Sequence, residues 1–194
     1  MKYIEITDKN ILLATKIQME IFPEESAYEH YKYVIKENVE YEKYYLVYDA
    51  NNIIGITGLY SNEDIYETNS IWLGWFGVLE EYRNKGYGKR ILLDTIKMAE
   101  KLSIKYPIKY FRLYTSERDD YLAQPLYEKI MDIKEYYKND TDINYNDTCL
   151  IYTKALGNNK IKKWDNKFLN LKEITKEQEI GNAKIKLKRQ TTII

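Results

Sequence analysis

Residues 70–102 place the tightest condition on what this chain can become. "SIWLGWFGV" is almost continuously apolar, and beyond "LEEY" the chain runs through "RNKGYGKR" into a segment whose apolar residues recur every three or four positions. An apolar run without alternation suits a central strand covered on both faces. From Gly88 onward Ile91, Leu92, Thr95, Met98, Ala99 and Leu102 share one side of a helix, while Lys89, Arg90, Asp94, Lys97 and Lys101 take the other positions. The fold must therefore join a buried strand to an amphipathic helix through a turn that contains Gly86 and Gly88.

The flanking segments supply the rest of a sheet. "KYIEIT" alternates like a short strand, and Asp8 is a suitable N-cap for a helix whose stripe is Ile11, Leu12, Ala14, Ile17, Met19 and Ile21, stopped by Pro23. A second helix is expected from near Ser26, then a hairpin over 43–60 through "DANN", a polar connection over 61–69 and the apolar strand. After the amphipathic helix come a strand over 109–115, a short aspartate-capped helix with Pro125 in its first turn, and an antiparallel pair made by "KEYYK" and "TCLIYTKAL". The predicted order is β-α-α-β-β-β-α-β-α-β-β, an α/β (α+β) fold with a mixed central sheet flanked by helices. It fills residues 1–156 as one domain.

Residues 157–194 form a basic extension, with ten Lys and Arg against four acidic residues in a chain whose net charge is zero. Its pattern fits a helix through Ile161, Trp164, Phe168 and Leu171 and also fits strands, so either structure stays open. The extension is expected to pack on the body or on a second subunit, which would make a homodimer. A solvated lysine-rich tail is the preferred reading of its charge over a nucleic-acid surface.

Several function classes fall away. No apolar run approaches the roughly 20 residues of a membrane span. The first ten residues lack the pattern of a secretory leader, so a cytoplasmic protein is expected. One cysteine, Cys149, and one histidine, His30, leave no ordinary metal site. The glycine turn has no Gly-x-x-x-x-Gly-Lys-Ser/Thr loop, and Ile91 stands where a dinucleotide fingerprint needs its third glycine.

The turn still has a chemical meaning. The first N–H groups of a helix lack intrahelical partners and sit at the positive end of its dipole, so glycines at that point let a diphosphate approach several amides at once. Arg83, Lys85 and Lys89 add positive charge around it. Following a long strand, "VLEEYRNKGYGKRILL" resembles the acetyl-CoA-binding motif of the GNAT superfamily of N-acetyltransferases, Arg/Gln-x-x-Gly-x-Gly/Ala at the start of the central helix. A second motif of that family, Asn-x-x-Ala-x-x-Leu-Tyr-Glu-Lys, is matched by "DYLAQPLYEK" at 120–129 with Asp120 for asparagine.

The resemblance implies an enzyme that moves an acetyl group from acetyl-CoA to a primary amine by direct attack. It implies that the amides from Arg83 through Asn84, Lys85, Gly86 and Tyr87 to Gly88, with Lys89 beside them, hold the cofactor diphosphate. The main chain at Phe76, Gly77 and Val78 would pair with the pantetheine arm and polarise the acetyl carbonyl, Asp120 would lie along the cofactor, and Tyr127 would protonate the departing thiolate. Gly74 and Gly77 are expected to mark a bulge that opens the strand. The acceptor would be a small-molecule, peptide or protein amine, drawn by Trp72, Trp75 and Tyr60 through cation–π attraction. Many relatives place a glutamate on the central strand, and "IWLGWFGV" has none; Glu24, Glu25, Glu63, Asp64 and Glu67 are the remaining candidate bases. Glu80 for a frequent proline and Met131-Asp132 for Gly-Phe are further departures. An acetyl-CoA sensor or assembly module that has lost catalysis is the alternative.

Overall fold

The computed structural model describes residues 1–116, 122–139, 148–165 and 171–173. The chain divides into two compact units, Met1–Leu113 with Lys154–Lys162, and the described residues of Tyr114–Thr153 with those from Lys163 on.

In the first unit, β1 (Lys2–Glu5), β2 (Lys43–Asp49), β3 (Asn52–Tyr60), β4 (Ser70–Val78) and β5, which begins at Tyr110 and runs to Ser116, lie in the order β1-β2-β3-β4-β5. Neighbours are antiparallel except β4 and β5, whose parallel pairing matches Ser70–Trp72 with Tyr110–Arg112. The sheet is therefore mixed, as expected. The hairpin between β2 and β3 turns at Ala50, which takes a left-handed φ of 50°, and pairs Asp49 with Asn52.

Helices cover both faces. On one lie α1 (Ile11–Ile21) and α2 (Tyr28–Glu37), the latter setting Tyr31 against Tyr44 at 5.1 Å between ring centres. On the other lies α4 (Tyr87–Leu102), which buries Ile91, Leu92, Thr95, Ile96 and Ala99 at helical spacing. Ile91 joins Val47, Ile54 and Val78 in a closed cluster, and fully burying such a side chain is worth about 1.5–3 kcal/mol. Thr95 adds a buried hydrogen bond to Thr57 of β3 at 2.8 Å. A side chain and its strand neighbour point to opposite faces, so Tyr44 serves the α1–α2 side and Tyr45 and Val47 the α4 side.

Some local expectations are corrected. Asn10, not Asp8, precedes α1, and its side chain closes the preceding turn by accepting from Thr7 N and donating to Glu5 O. The α1 stripe is narrower than the sequence suggests: Leu12 and Met19 face solvent, and Gln18 is fully buried instead. Its amide spans the link to α2, accepting from Ala27 N and donating to Glu25 O, which offsets the cost of burying it. The polar connection holds a one-turn helix, α3 (Ile65–Thr68), because Asp64 accepts from Tyr66 N and Ile65 is buried.

In the second unit α5 (Gln124–Ile130) carries Pro125 in its first turn as expected, but Ala123 rather than an aspartate stands at its N-cap. The antiparallel pair is present as β6 (Ile133–Asn139) and β7 (Thr148–Ala155). The C-terminal extension adds β8 (Leu171–Glu173) to the other edge of β6. Trp164 fastens it: its backbone N–H donates to buried Glu135 at 3.0 Å, and its ring meets Tyr137 edge-on at 5.2 Å.

Candidate active site

After β4 the chain turns back over a short 3-10 turn, Glu80–Tyr82, and enters α4 through Arg83, Asn84, Lys85 and Gly86. Asn84 and Gly86 both take left-handed conformations, with φ of 59° and 82°. Gly86 is the N-cap, and it provides no side chain to close the helix. The amides of Asn84, Lys85, Gly86, Tyr87, Gly88 and Lys89 make no hydrogen bond to any described residue. Alternating left-handed residues that present successive N–H groups form an anion-binding concavity, and the dipole of α4 points into it.

The turn's own side chains do not fill this space. Arg83 Nε donates to Val78 O at 3.0 Å, Lys85 Nζ to Glu81 O at 2.8 Å, and the Tyr87 hydroxyl to Asp49 at the β2–β3 hairpin. Tyr87 thereby ties the start of α4 to the sheet. A Cβ built on Gly86 would meet nothing within 4 Å. Exposed Lys89 and Arg90 follow on the first turn of the helix, which has no acidic residue. The arrangement fits a diphosphate by position, charge and openness.

β4 departs from regular geometry beside the turn. It pairs with β5 only over its first three residues, and its register against β3 slips where Gly58 faces Gly74 and Ile56 faces Gly77. One residue of β3, Thr57, therefore stands against two of β4, Trp75 and Phe76, and Trp75 has a φ of 36°. This is a β-bulge, and bulges re-aim main-chain groups. The expected opening is present, and both expected glycines flank it. They also make room for neighbours: a Cβ on Gly77 would stand 2.4 Å from Ile21, and one on Gly74 2.2 Å from the Tyr44 hydroxyl. Phe76 packs beside the cluster of Val47, Ile54, Val78 and Ile91, and the Val78 carbonyl is the one engaged by Arg83.

On the α1–α2 side of the bulge an aromatic group assembles from three elements. The His30 Nε2 of α2 lies 3.0 Å from the Tyr44 hydroxyl of β2, and the imidazole meets the Tyr44 and Tyr60 rings edge-on at 5.2 and 5.7 Å. Burial holds His30 below the usual imidazole range, and the Glu42 carboxylate pulls weakly the other way. Glu42 is itself held by the N–H and hydroxyl of Ser61. Trp75 extends the group by packing on Phe22 at 5.6 Å. Trp72, in contrast, is fully buried in the core, which removes it from any acceptor surface.

Among the expected bases Glu24, Glu25, Asp64 and Glu67 are exposed, and Asp64 is the cap of α3. Glu63 is half-buried. In the second unit Tyr127 sits on α5, 5% exposed, with its ring 5.5 Å from that of Tyr152. Asp120 lies outside the described residues. A cavity of about 200 Å³ opens at the start of β2 among Glu5, Tyr31, Lys43 and Tyr44, at the opposite end of that strand from the contact of Asp49 with Tyr87. In the sequence His30 stands out only as a possible metal ligand, because no spacing ties residues 30, 44 and 60 together.

A model of the acetyltransferase (GNAT) family matches residues 11–132, which takes in the bulged strand, the turn and α5. The chain belongs to the GNAT acetyltransferase family. Members of this family transfer acetyl groups, in general from acetyl-CoA. No curated protein matches the chain. Solved structures with the same fold include a spermidine N-acetyltransferase SpeG chimera from Vibrio cholerae and hSSAT, 16% identical, covering 80% of this chain and 96% of that one at a TM-score of 0.62. An acetyltransferase of the GNAT family from Streptococcus pneumoniae is 15% identical over 80% of this chain and 99% of that one, with a TM-score of 0.59. Arabidopsis thaliana NAA60, in complex with a bisubstrate analogue, is 15% identical over 80% of this chain and 97% of that one, with a TM-score of 0.59. At this identity the likeness is one of fold: α/β, with a GNAT-like mixed sheet flanked by helices. Among the described residues no helix is long and apolar enough to cross a membrane, and no group of His, Cys, Asp and Glu could hold a metal ion.

Proposed function

We propose that this GNAT protein is an N-acetyltransferase that moves an acetyl group from acetyl-CoA to a primary amine on a small molecule, peptide or protein. The observation that carries the reading is the run of six amides, Asn84 to Lys89, with no partner among the described residues, at an open helix N-terminus beside a bulged strand.

Those amides, with Arg83, Lys85 and Lys89 around them, hold the diphosphate of CoA. Bound acetyl-CoA supplies the acyl thioester. The bulge at Trp75–Phe76 and the following Gly77 and Val78 offer main-chain groups to the pantetheine arm, and an N–H there stabilises negative charge that develops on the acyl oxygen. Asp120, outside the described residues, is assigned to cofactor binding by its place in the motif alone. Tyr127 delivers a proton to the departing sulfur, since a phenol with a pKa of about 10 can protonate a thiolate. Residues 1–156 carry this chemistry, and residues 157–194 are an accessory extension.

The absence of a carboxylate from β4 supports a second reading, a non-catalytic acetyl-CoA sensor. One assay separates the two: free thiol released from acetyl-CoA across a panel of primary amines. The enzyme reading expects turnover with at least one amine and a large loss of rate in Tyr127→Phe with CoA affinity kept. Intact CoA binding with silence across the panel contradicts it and leaves the sensor.

A further inference from the structure

Resting on the N-acetyltransferase reading above, we propose that His30 is the proton acceptor that releases the attacking amine, oriented by Tyr44. A primary ammonium cannot attack a thioester until it has lost a proton, and β4 offers no side chain to take it. His30 lies on the side of the sheet where that strand is bulged.

Three observations place it. The Tyr44 hydroxyl, 3.0 Å from His30 Nε2, lies so close over Gly74 that a Cβ there would be 2.2 Å away, so the missing side chain of Gly74 is what lets the pair rest on β4 next to the bulge. The edge-on rings of Tyr44 and Tyr60 fix the plane of the imidazole. Its Nδ1 has no partner among the described residues. With Nε2–H donating to the Tyr44 oxygen, Nδ1 keeps its lone pair and faces no internal competitor for a proton.

Electrostatics suit the role. Titratable groups that face His30 are Tyr44 from β2, Glu42 just before β2 and Tyr60 from β3. Burial keeps the resting imidazole neutral, and Glu42 favours the imidazolium once a proton has arrived. In the step itself the ammonium N–H bond breaks, the proton goes to Nδ1, and the nitrogen retains the electron pair that forms the new C–N bond. The nitrogen's second proton, lost as the amide forms, replaces the one that Tyr127 gives to the thiolate, and the imidazolium returns the first to solvent, so the enzyme is regenerated and each turnover releases one proton.

As the sole histidine of the chain, His30 gives one imidazole resonance that needs no further assignment. Proton NMR of the wild type is expected to show a single midpoint below the usual 6.5 of histidine. The acidic limb of kcat/KM for an alkylamine should coincide with it, because that parameter reports the free enzyme. His30→Gln should remove the limb and lower kcat about 100-fold for alkylamines, yet change an arylamine, already neutral, by no more than about threefold. Equal losses with both amine classes, or a limb more than about one unit from the NMR midpoint, overturn the proposal. Should His30→Gln fail to fold, the wild-type comparison of midpoint and limb decides alone. An active wild type with an unaffected variant overturns this proposal only; a wild type that binds CoA and acetylates no amine overturns it together with the reading beneath it.

Discussion

Glycine serves opposite ends in two regions of the first unit. At Gly86 a Cβ would meet nothing within 4 Å, and the residue is needed for its φ of 82° and for the bare surface it leaves over the amides of α4. At Gly58 and Gly74 a Cβ would stand 2.1 and 2.2 Å from Tyr44, so the residue is needed for the volume it does not occupy. One region keeps a space open to solvent, and the other is filled by its neighbours. The contrast separates ligand affinity, which should reside in the turn, from stability, which should reside under the aromatic cluster.

The largest effect expected from this contrast is on ligand affinity. Gly86→Val sets a β-branched residue in a left-handed conformation and covers the amides, so CoA affinity should fall about 100-fold, or about 2.7 kcal/mol, by calorimetry. Unchanged affinity would remove the turn from the cofactor site. Next comes Gly58→Ala, which should destabilise the fold by about 2 kcal/mol in denaturant titration while the folded protein binds CoA within about twofold of the wild type. A stable variant would show that Tyr44 can move aside. Thr95→Val, on the far face, should cost about 1 kcal/mol through the lost partner of Thr57 and leave CoA affinity alone; a matching loss of affinity would mean that the seating of α4, rather than its bare amides, governs binding.

The smallest effect is on pH dependence. His30 has its pKa lowered by folding, so the unfolded chain binds the proton more readily. Its contribution is therefore complete above the unfolded value of about 6.5 and is lost as pH falls through the lower folded value. Melting temperatures measured from pH 7.5 downward should decline more steeply in the wild type than in His30→Gln.

What could be read from the chain followed the range of the forces involved. The turn and α4 were legible because their cause is local: a glycine at the cap and apolar residues at 91, 92 and 99, with Thr95 among them, on one side. The positive φ of Trp75 was not, since tryptophan does not advertise such a conformation and it is imposed by its surroundings; Asn84 is of a type that enters the left-handed region readily, but no spacing marked it. The α1 stripe misled for a similar reason: Leu12 is more apolar than Gln18, yet Gln18 is buried because the α1–α2 link supplies both its hydrogen bonds. His30, Tyr44 and Tyr60 come from a helix and two strands, and only the folded sheet brings them together.

The central claim is that main-chain donors at one turn grip a diphosphate. Calorimetric titration of the protein with CoA and with pantetheine, which lacks that group, tests it most directly. CoA is expected to bind about 100-fold or more tightly than pantetheine; equal affinity for the two would contradict the account.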